Sequence, residues 1–224
     1  MPTLARAFAF VALAATFDQP LSTAHGLALA AVGLAWLLLL PIFLLLRRRF
    51  ADGPSRRREP LSLLGMALQA LGMGLAWGWR RPEGTPLVPG PESVQWALTV
   101  VVLLLLAGGL AMIAGALRAL GRQWSLTARI LEGHELVTEG PFRLVRHPIY
   151  TGLLAMLVAA GLASARPLGI LVGVLVYWLG TRLRTHLEEG LLLEAFGDSY
   201  RRYAARVPAL LPWPRPSGAS AEKI

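Results

Sequence analysis

Three stretches of this chain, His25–Leu46, Leu61–Trp79 and Ser93–Leu117, run without a single charged side chain. Each is close to the roughly 20 apolar residues a helix needs to cross a bilayer. In hydrocarbon every backbone N–H and C=O must be satisfied inside the segment, so such stretches fold as helices. A fourth apolar region, Ile149–Thr181, is interrupted only by Arg166-Pro167. It is too long for one span and just enough for two. Proline suits the first turn of a helix, where its missing N–H costs nothing. The region therefore reads as a tight hairpin, Ile149–Ala165 and Pro167–Thr181. Its second arm is expected to continue into the amphipathic stretch after Arg182. The fold class is thus all-α: a polytopic membrane protein of about five transmembrane helices. The last two form the hairpin, and a helical region follows at the C-terminus.

Composition agrees. The chain is 55% hydrophobic and 16% charged, where a soluble domain carries about a quarter charged residues. The net charge of +9 would suggest nucleic acid in a soluble protein; beside this hydropathy it suggests charge sorted across a bilayer. Eighteen of the 22 basic residues fall in the loops Arg47–Pro60 and Arg118–Pro148 and in the tail beyond Thr181. Five alternating spans put all three on one side. The other side holds Arg6, Arg80, Arg81 and Arg166. The positive-inside rule then places the C-terminus in the cytoplasm and the N-terminus outside. Leu4–Phe17 is short for a span and reads as an interfacial or partly inserted helix. Ala51–Glu59 reads as a solvated Arg loop and residues 214–224 as a flexible tail.

Several chemistries are excluded. The chain has no cysteine, hence no disulfide, thiolate metal site or cysteine nucleophile. His134-Glu135 opens like a zincin helix but lacks the second histidine. No G-x-S-x-G elbow occurs. Gly72-Met73-Gly74 lies inside an apolar helix, without the strand-turn-helix context of a dinucleotide fingerprint. The glycines of the second and third spans (Gly65, Gly72, Gly74, Gly108, Gly109, Gly115) read as close helix packing.

Polar residues crowd the expected cytoplasmic edge in two segments, 121–152 and 181–208. Pro148 pushes His147 towards an extended backbone just before a helix, whose exposed first-turn N–H groups suit a carboxylate or phosphate. Arg184 and Glu188 are spaced i, i+4 close to the last apolar residues. They read either as a surface pair worth about 0.3–0.5 kcal/mol or as groups facing an anionic and a cationic or hydroxyl-bearing ligand. Tyr200 and Tyr203 read as packing residues, Phe196-Gly197 as a helix break, His186 as solvated and Trp124 as an interface anchor.

The ordered set His134-Glu135-Leu136-Val137, Gly140-Pro141-Phe142, Arg146-His147-Pro148-Ile149-Tyr150-Thr151-Gly152, Glu188-Glu189, Phe196-Gly197-x-x-Tyr200-x-x-Tyr203 and Val207-Pro208 resembles the isoprenylcysteine carboxyl methyltransferase family of integral membrane enzymes. Phospholipid N-methyltransferases share parts of it. The resemblance covers roughly Gly121–Trp213, which suggests residues 121–213 as a methyltransferase core behind N-terminal membrane helices in 1–120. It implies transfer of a methyl group from S-adenosylmethionine, with S-adenosylhomocysteine as product, to a lipophilic or prenylated substrate bearing a carboxylate or amine head. It implies a cofactor site from His134, Glu135, Leu136, Val137, Phe142, His147, Pro148, Ile149, Tyr150 and Glu188, with Arg184 facing the substrate and Arg184 and Glu188 as the catalytic pair. The family typically has Tyr where this chain has Phe142, so a hydroxyl contact is lost there and ring stacking is left. Aromatic faces at Tyr150 and Phe142 would suit a sulfonium, and Arg143 or Arg146 an amino-acid carboxylate. Membrane lipids are the expected surroundings, with neither nucleic acid nor a metal as partner. Two other readings are an NADPH-dependent membrane reductase of the sterol type, and a non-catalytic module using its Arg loops on anionic lipids.

Overall fold

A computed structural model describes residues 23–47, 55–82, 85–124, 129–131 and 135–212. The segment Leu4–Phe17, the tail 214–224 and His134 lie outside the described residues. Among the described residues, five apolar helices form the body: α1 (Thr23–Arg47), α2 (Ser62–Gly78), α3 (Glu92–Leu120), α4 (Pro148–Ser164) and α5 (Pro167–Phe196). A short helix α6 (Asp198–Arg206) follows. Three of the five, α1, α3 and α5, are long and apolar enough to cross a membrane. The other two have 17 residues each, the lower limit for a span. Large apolar side chains point outward along the bundle, among them Leu40, Leu71, Leu104 and Leu179. In water this would be costly; in lipid it is the expected surface. The molecule is an all-α polytopic membrane protein.

Both prolines that open the last two long helices occupy their first turns. The turn Ala165-Arg166 between them is tight. The two arms nevertheless pack mainly on other partners: α5 lies along α2, and α4 along α3, with α1 against α3. Glycine explains the pairing. A Cβ on Gly72 would lie 2.6 Å from the Gly173 carbonyl oxygen, and one on Gly173 would lie 2.7 Å from the Gly72 oxygen. Gly65 and Gly180 block one another in the same reciprocal way one heptad along. Small residues let two backbones touch where no hydrophobic force separates helix from lipid. Gly74 and Gly108, expected to belong to the same interfaces, instead face open space.

Two further features differ from the sequence reading. Part of the Arg loop is a strand, β1 (Ser55–Arg58), paired antiparallel with β2 (Arg129–Leu131). The two Arg-rich loops thus meet at one end of the bundle. At the other end Arg80 forms an isolated bridge with Ala165. The Arg81 guanidinium donates to the carbonyls of Leu162, Ala163 and Ala165. These are the unsatisfied C-terminal acceptors of α4, where a cation is favoured. Gly197, at φ +50°, ends α5, as the helix-break reading expected.

Candidate active site

The loop before α4 and the polar end of α5 converge. Pro141 and Pro148 deny the chain a continuous helix, and residues Gly140–Arg143 form a single 3-10 turn. The Arg146 and His147 amides donate to the carbonyls of Pro208 and Ala209 at 2.9 and 3.0 Å. The segment after α6 therefore pins His147 from behind. Buried Tyr203 adds a bond from its hydroxyl to the Phe142 carbonyl at 2.8 Å, and buried Tyr177 donates to the Tyr150 carbonyl at 2.9 Å.

Within this frame one face of α5 presents Arg184, Glu188 and Glu189. The Tyr150 hydroxyl donates to Glu188 Oε1. His147 Nδ1 lies 3.5 Å from Glu188 Oε2, and its Nε2 lies 2.9 Å from Glu189 Oε1. Arg146 donates to that same Glu189 oxygen from Nε and Nη2, at 2.9 and 2.7 Å. Its Nη1 reaches the Ala204 and Val207 carbonyls at 3.0 and 2.7 Å. Arg184 Nη2 stands 3.6 Å from Glu188 Oε1, and its Cζ lies 4.9 Å from the Tyr150 ring centroid. The His147 ring stacks on the same Tyr150 ring at 5.8 Å.

Burial of His147 by itself would push its pKa down. Hydrogen bonds to Glu188 and Glu189, together with their negative charge, outweigh that effect. The imidazole is held above its ordinary value of 6.5, so the charged form is favoured.

The expected site residues sort into three groups. His147, Tyr150, Arg184 and Glu188 meet, as described. Leu136 packs on the Tyr200–Tyr203 cluster and Ile149 on the α1–α3–α4 core; Phe142 and Pro148 are buried. Glu135 is exposed, and its backbone amide donates to the Gln123 side-chain oxygen Oε1 at 2.8 Å; Val137 is half-buried. Arg184 and Glu188 are no surface pair, because Arg184 is 6% exposed. Arg146, considered for a ligand carboxylate, is instead committed to Glu189 and the backbone after α6. The Tyr150 ring, considered for a sulfonium, already carries His147 and Arg184. Tyr200 and Tyr203 pack as expected. His186 is exposed, and Trp124 packs against the core.

Sequence reading missed Gln69, buried on α2, whose Nε2 donates to Thr181 Oγ1 at 2.9 Å and whose Oε1 accepts from Arg184 at 3.2 Å. Its signal was available: it is an amide in the middle of an otherwise apolar span, and polar groups at such depth find partners.

Residues 97–199 match the family model described as phospholipid methyltransferase. The chain is 30% identical over 127 residues to protein-S-isoprenylcysteine O-methyltransferase B of Arabidopsis thaliana, covering 56% of this chain and 64% of that protein. It is 29% identical to the protein-S-isoprenylcysteine O-methyltransferase of Mus musculus, over 56% of this chain and 44% of the relative. Over a shorter stretch it is 39% identical to methanethiol S-methyltransferase 1 of Bradyrhizobium diazoefficiens, covering 33% of this chain and 25% of that protein. The chain thus spans less than two thirds of the length of these curated relatives.

Proposed function

We propose, from the match of residues 97–199 to the phospholipid methyltransferase family, that this chain is an integral membrane methyltransferase that uses S-adenosylmethionine and methylates a lipophilic carboxylate. One observation supports this most: the segments around His147 and Glu188, far apart in sequence, build one polar cluster at the end of an apolar bundle. Its donor set fits the cofactor. Glu188, 23% exposed at its side chain, offers a carboxylate to an ammonium or a ribose diol. When bound, S-adenosylmethionine supplies an electrophilic methyl group on a sulfonium.

The residues of the chain bind, orient and exclude water. His147 and Tyr150 hold the Glu188 carboxylate in place. Glu135, Leu136, Val137 and Phe142 of the neighbouring loop would hold the cofactor, together with the backbone of Pro148 and Ile149. Arg184 aims the acceptor: its planar fork matches a carboxylate, while its positive charge disfavours a protonated amine nearby. A carboxylate acceptor needs no general base, so orientation supplies most of the rate; effective molarity is worth on the order of 7–11 kcal/mol. Relatives named for isoprenylcysteine suggest an S-prenylcysteine as the carboxylate. It would enter sideways from the bilayer. The positive-inside rule puts the site at the cytoplasmic face.

The test uses the purified chain in detergent. S-adenosylhomocysteine should raise its melting temperature, and NADPH should not. Labelled methyl from S-adenosylmethionine should pass into an N-acetyl S-prenylcysteine as a base-labile ester. Stabilisation by NADPH alone would overturn the reading in favour of a reductase; stabilisation by neither nucleotide would favour a lipid-binding module.

A further inference from the structure

The family match begins at residue 97, yet the Arg184 side chain is held largely by α2, well before it. A Cβ on Gly65 would lie 2.5 Å from Arg184 Cγ, so the stem of Arg184 runs through space that only glycine leaves open. One turn further along α2, Gln69 meets the head. Arginine has only donors. The Gln69 amide oxygen must therefore face Arg184, which leaves its NH2 for Thr181, itself 1% exposed. Gln69 is satisfied on both sides and fixed by both.

This arrangement has a consequence for charge. Arg184 and Glu188 are spaced i, i+4 and would close into a tight pair if nothing opposed it. They stand at 3.6 Å instead. The bond from Nη1 to Gln69, at 3.2 Å, draws the guanidinium towards α2. The contact with the Tyr150 ring keeps it level with the site.

We infer that Gln69 on α2, seated by Thr181 and given room by Gly65, is a positioning residue that holds the Arg184 guanidinium off Glu188 and aims it at the acceptor carboxylate. This rests on the reading of Arg184 under Proposed function. Without Gln69 the Arg184 guanidinium loses its aim, while Tyr150 and His147 still hold Glu188, so the loss should fall mainly on the acceptor and spare the cofactor.

The experiment compares Gln69→Leu, Gln69→Glu, Thr181→Val and Gly74→Ala with the unaltered chain. N-acetyl S-prenylcysteine is the acceptor and S-adenosylhomocysteine the probe of the cofactor site. Gln69→Leu should lower kcat/KM for the acceptor about tenfold or more, the scale of a lost hydrogen bond to a charged group. The loss should be carried mainly by KM, with stabilisation by S-adenosylhomocysteine retained. Gln69→Glu keeps an acceptor that holds Arg184 in place but adds a charge that competes with the acceptor carboxylate, so it should recover part of that loss. Thr181→Val, which unseats Gln69, should give a smaller change in the same direction. Gly74→Ala, on the same helix but facing open space, should leave all parameters unchanged. The inference is overturned if Gln69→Leu matches the unaltered chain, if Leu and Glu lose equally, or if the loss appears in cofactor binding alone. Should Gln69→Leu fail to fold, an unchanged KM in Thr181→Val overturns it equally. An unaltered chain that neither binds S-adenosylhomocysteine nor transfers methyl would instead sink the methyltransferase reading, and this inference with it.

Discussion

His147 Nε2 lies 2.9 Å from Glu189 Oε1, an oxygen that also accepts two bonds from Arg146. Adjacent carboxylates on one helix therefore do different work. Glu189 ties the loop before α4 to the segment after α6 through Arg146. Glu188, shared with His147, Tyr150 and Arg184, is the carboxylate turned to the proposed ligand.

Glu189→Ala should be mainly a stability mutation. It leaves the buried Arg146 guanidinium without its ion partner, a change worth about 3–5 kcal/mol. The melting temperature in detergent should fall steeply, and Glu189→Gln should fall less because it still accepts a hydrogen bond. Equal melting temperatures for the alanine variant and the unaltered chain would contradict this.

Glu188→Ala should be mainly a ligand mutation. Loss of one charge-assisted bond, on the order of 1.5–3 kcal/mol, should weaken S-adenosylhomocysteine binding by about tenfold to a hundredfold. Isothermal titration of the detergent-solubilised protein checks it. Glu188→Gln should lie between the two.

Stability should depend on pH through His147. Its folded pKa is raised above 6.5, so the protonated form is the one the fold stabilises. That contribution is complete below the unfolded value and is lost as pH rises through the folded value. The melting temperature should therefore decline as pH climbs above about 6.5, and His147→Gln should flatten this part of the profile. A profile unchanged by the substitution would count against the geometry.

Gly72→Ala and Gly74→Ala offer a contrast within one helix. The first puts a methyl 2.6 Å from Gly173 O and from the Tyr177 amide nitrogen, and overpacking of this kind costs about 1–3 kcal/mol. The second meets open space and should be neutral. Thermal unfolding of both variants settles the difference.

The chain lacks cysteine, so single introduced thiols report sidedness. Arg57→Cys and Arg202→Cys should react with a membrane-impermeant maleimide from the same side, and Arg166→Cys from the opposite side. Labelling of all three from one side would break the five-span alternation.

Much of the fold was legible because lipid imposes a one-dimensional rule. A stretch such as Ser93–Leu117 can satisfy its backbone there only as a helix, whatever its neighbours. The prolines at 148 and 167 marked helix starts by local geometry alone, and Gly197 marked a stop. Part of the site was legible for a similar reason, since His147, Tyr150 and Glu188 sit in short ordered motifs. The strand within the Arg loop was not legible: Ser55–Arg58 has no apolar alternation, and it is a strand because Arg129–Leu131 lies beside it.

The sequence by itself determined that this chain is a bundle of apolar helices with its polar residues gathered at one edge, because hydropathy and helix period act along the chain. Only the tertiary structure decided which helices touch and which edge residues meet. Gly72 against Gly173 sets α2 on α5, and that contact brings Gln69 within reach of Arg184. Arg146 became a strut and Glu188 the meeting point of His147, Tyr150 and Arg184 for the same reason: the role of a charge in a low-dielectric place depends on its partners, and partners distant in sequence are chosen by packing.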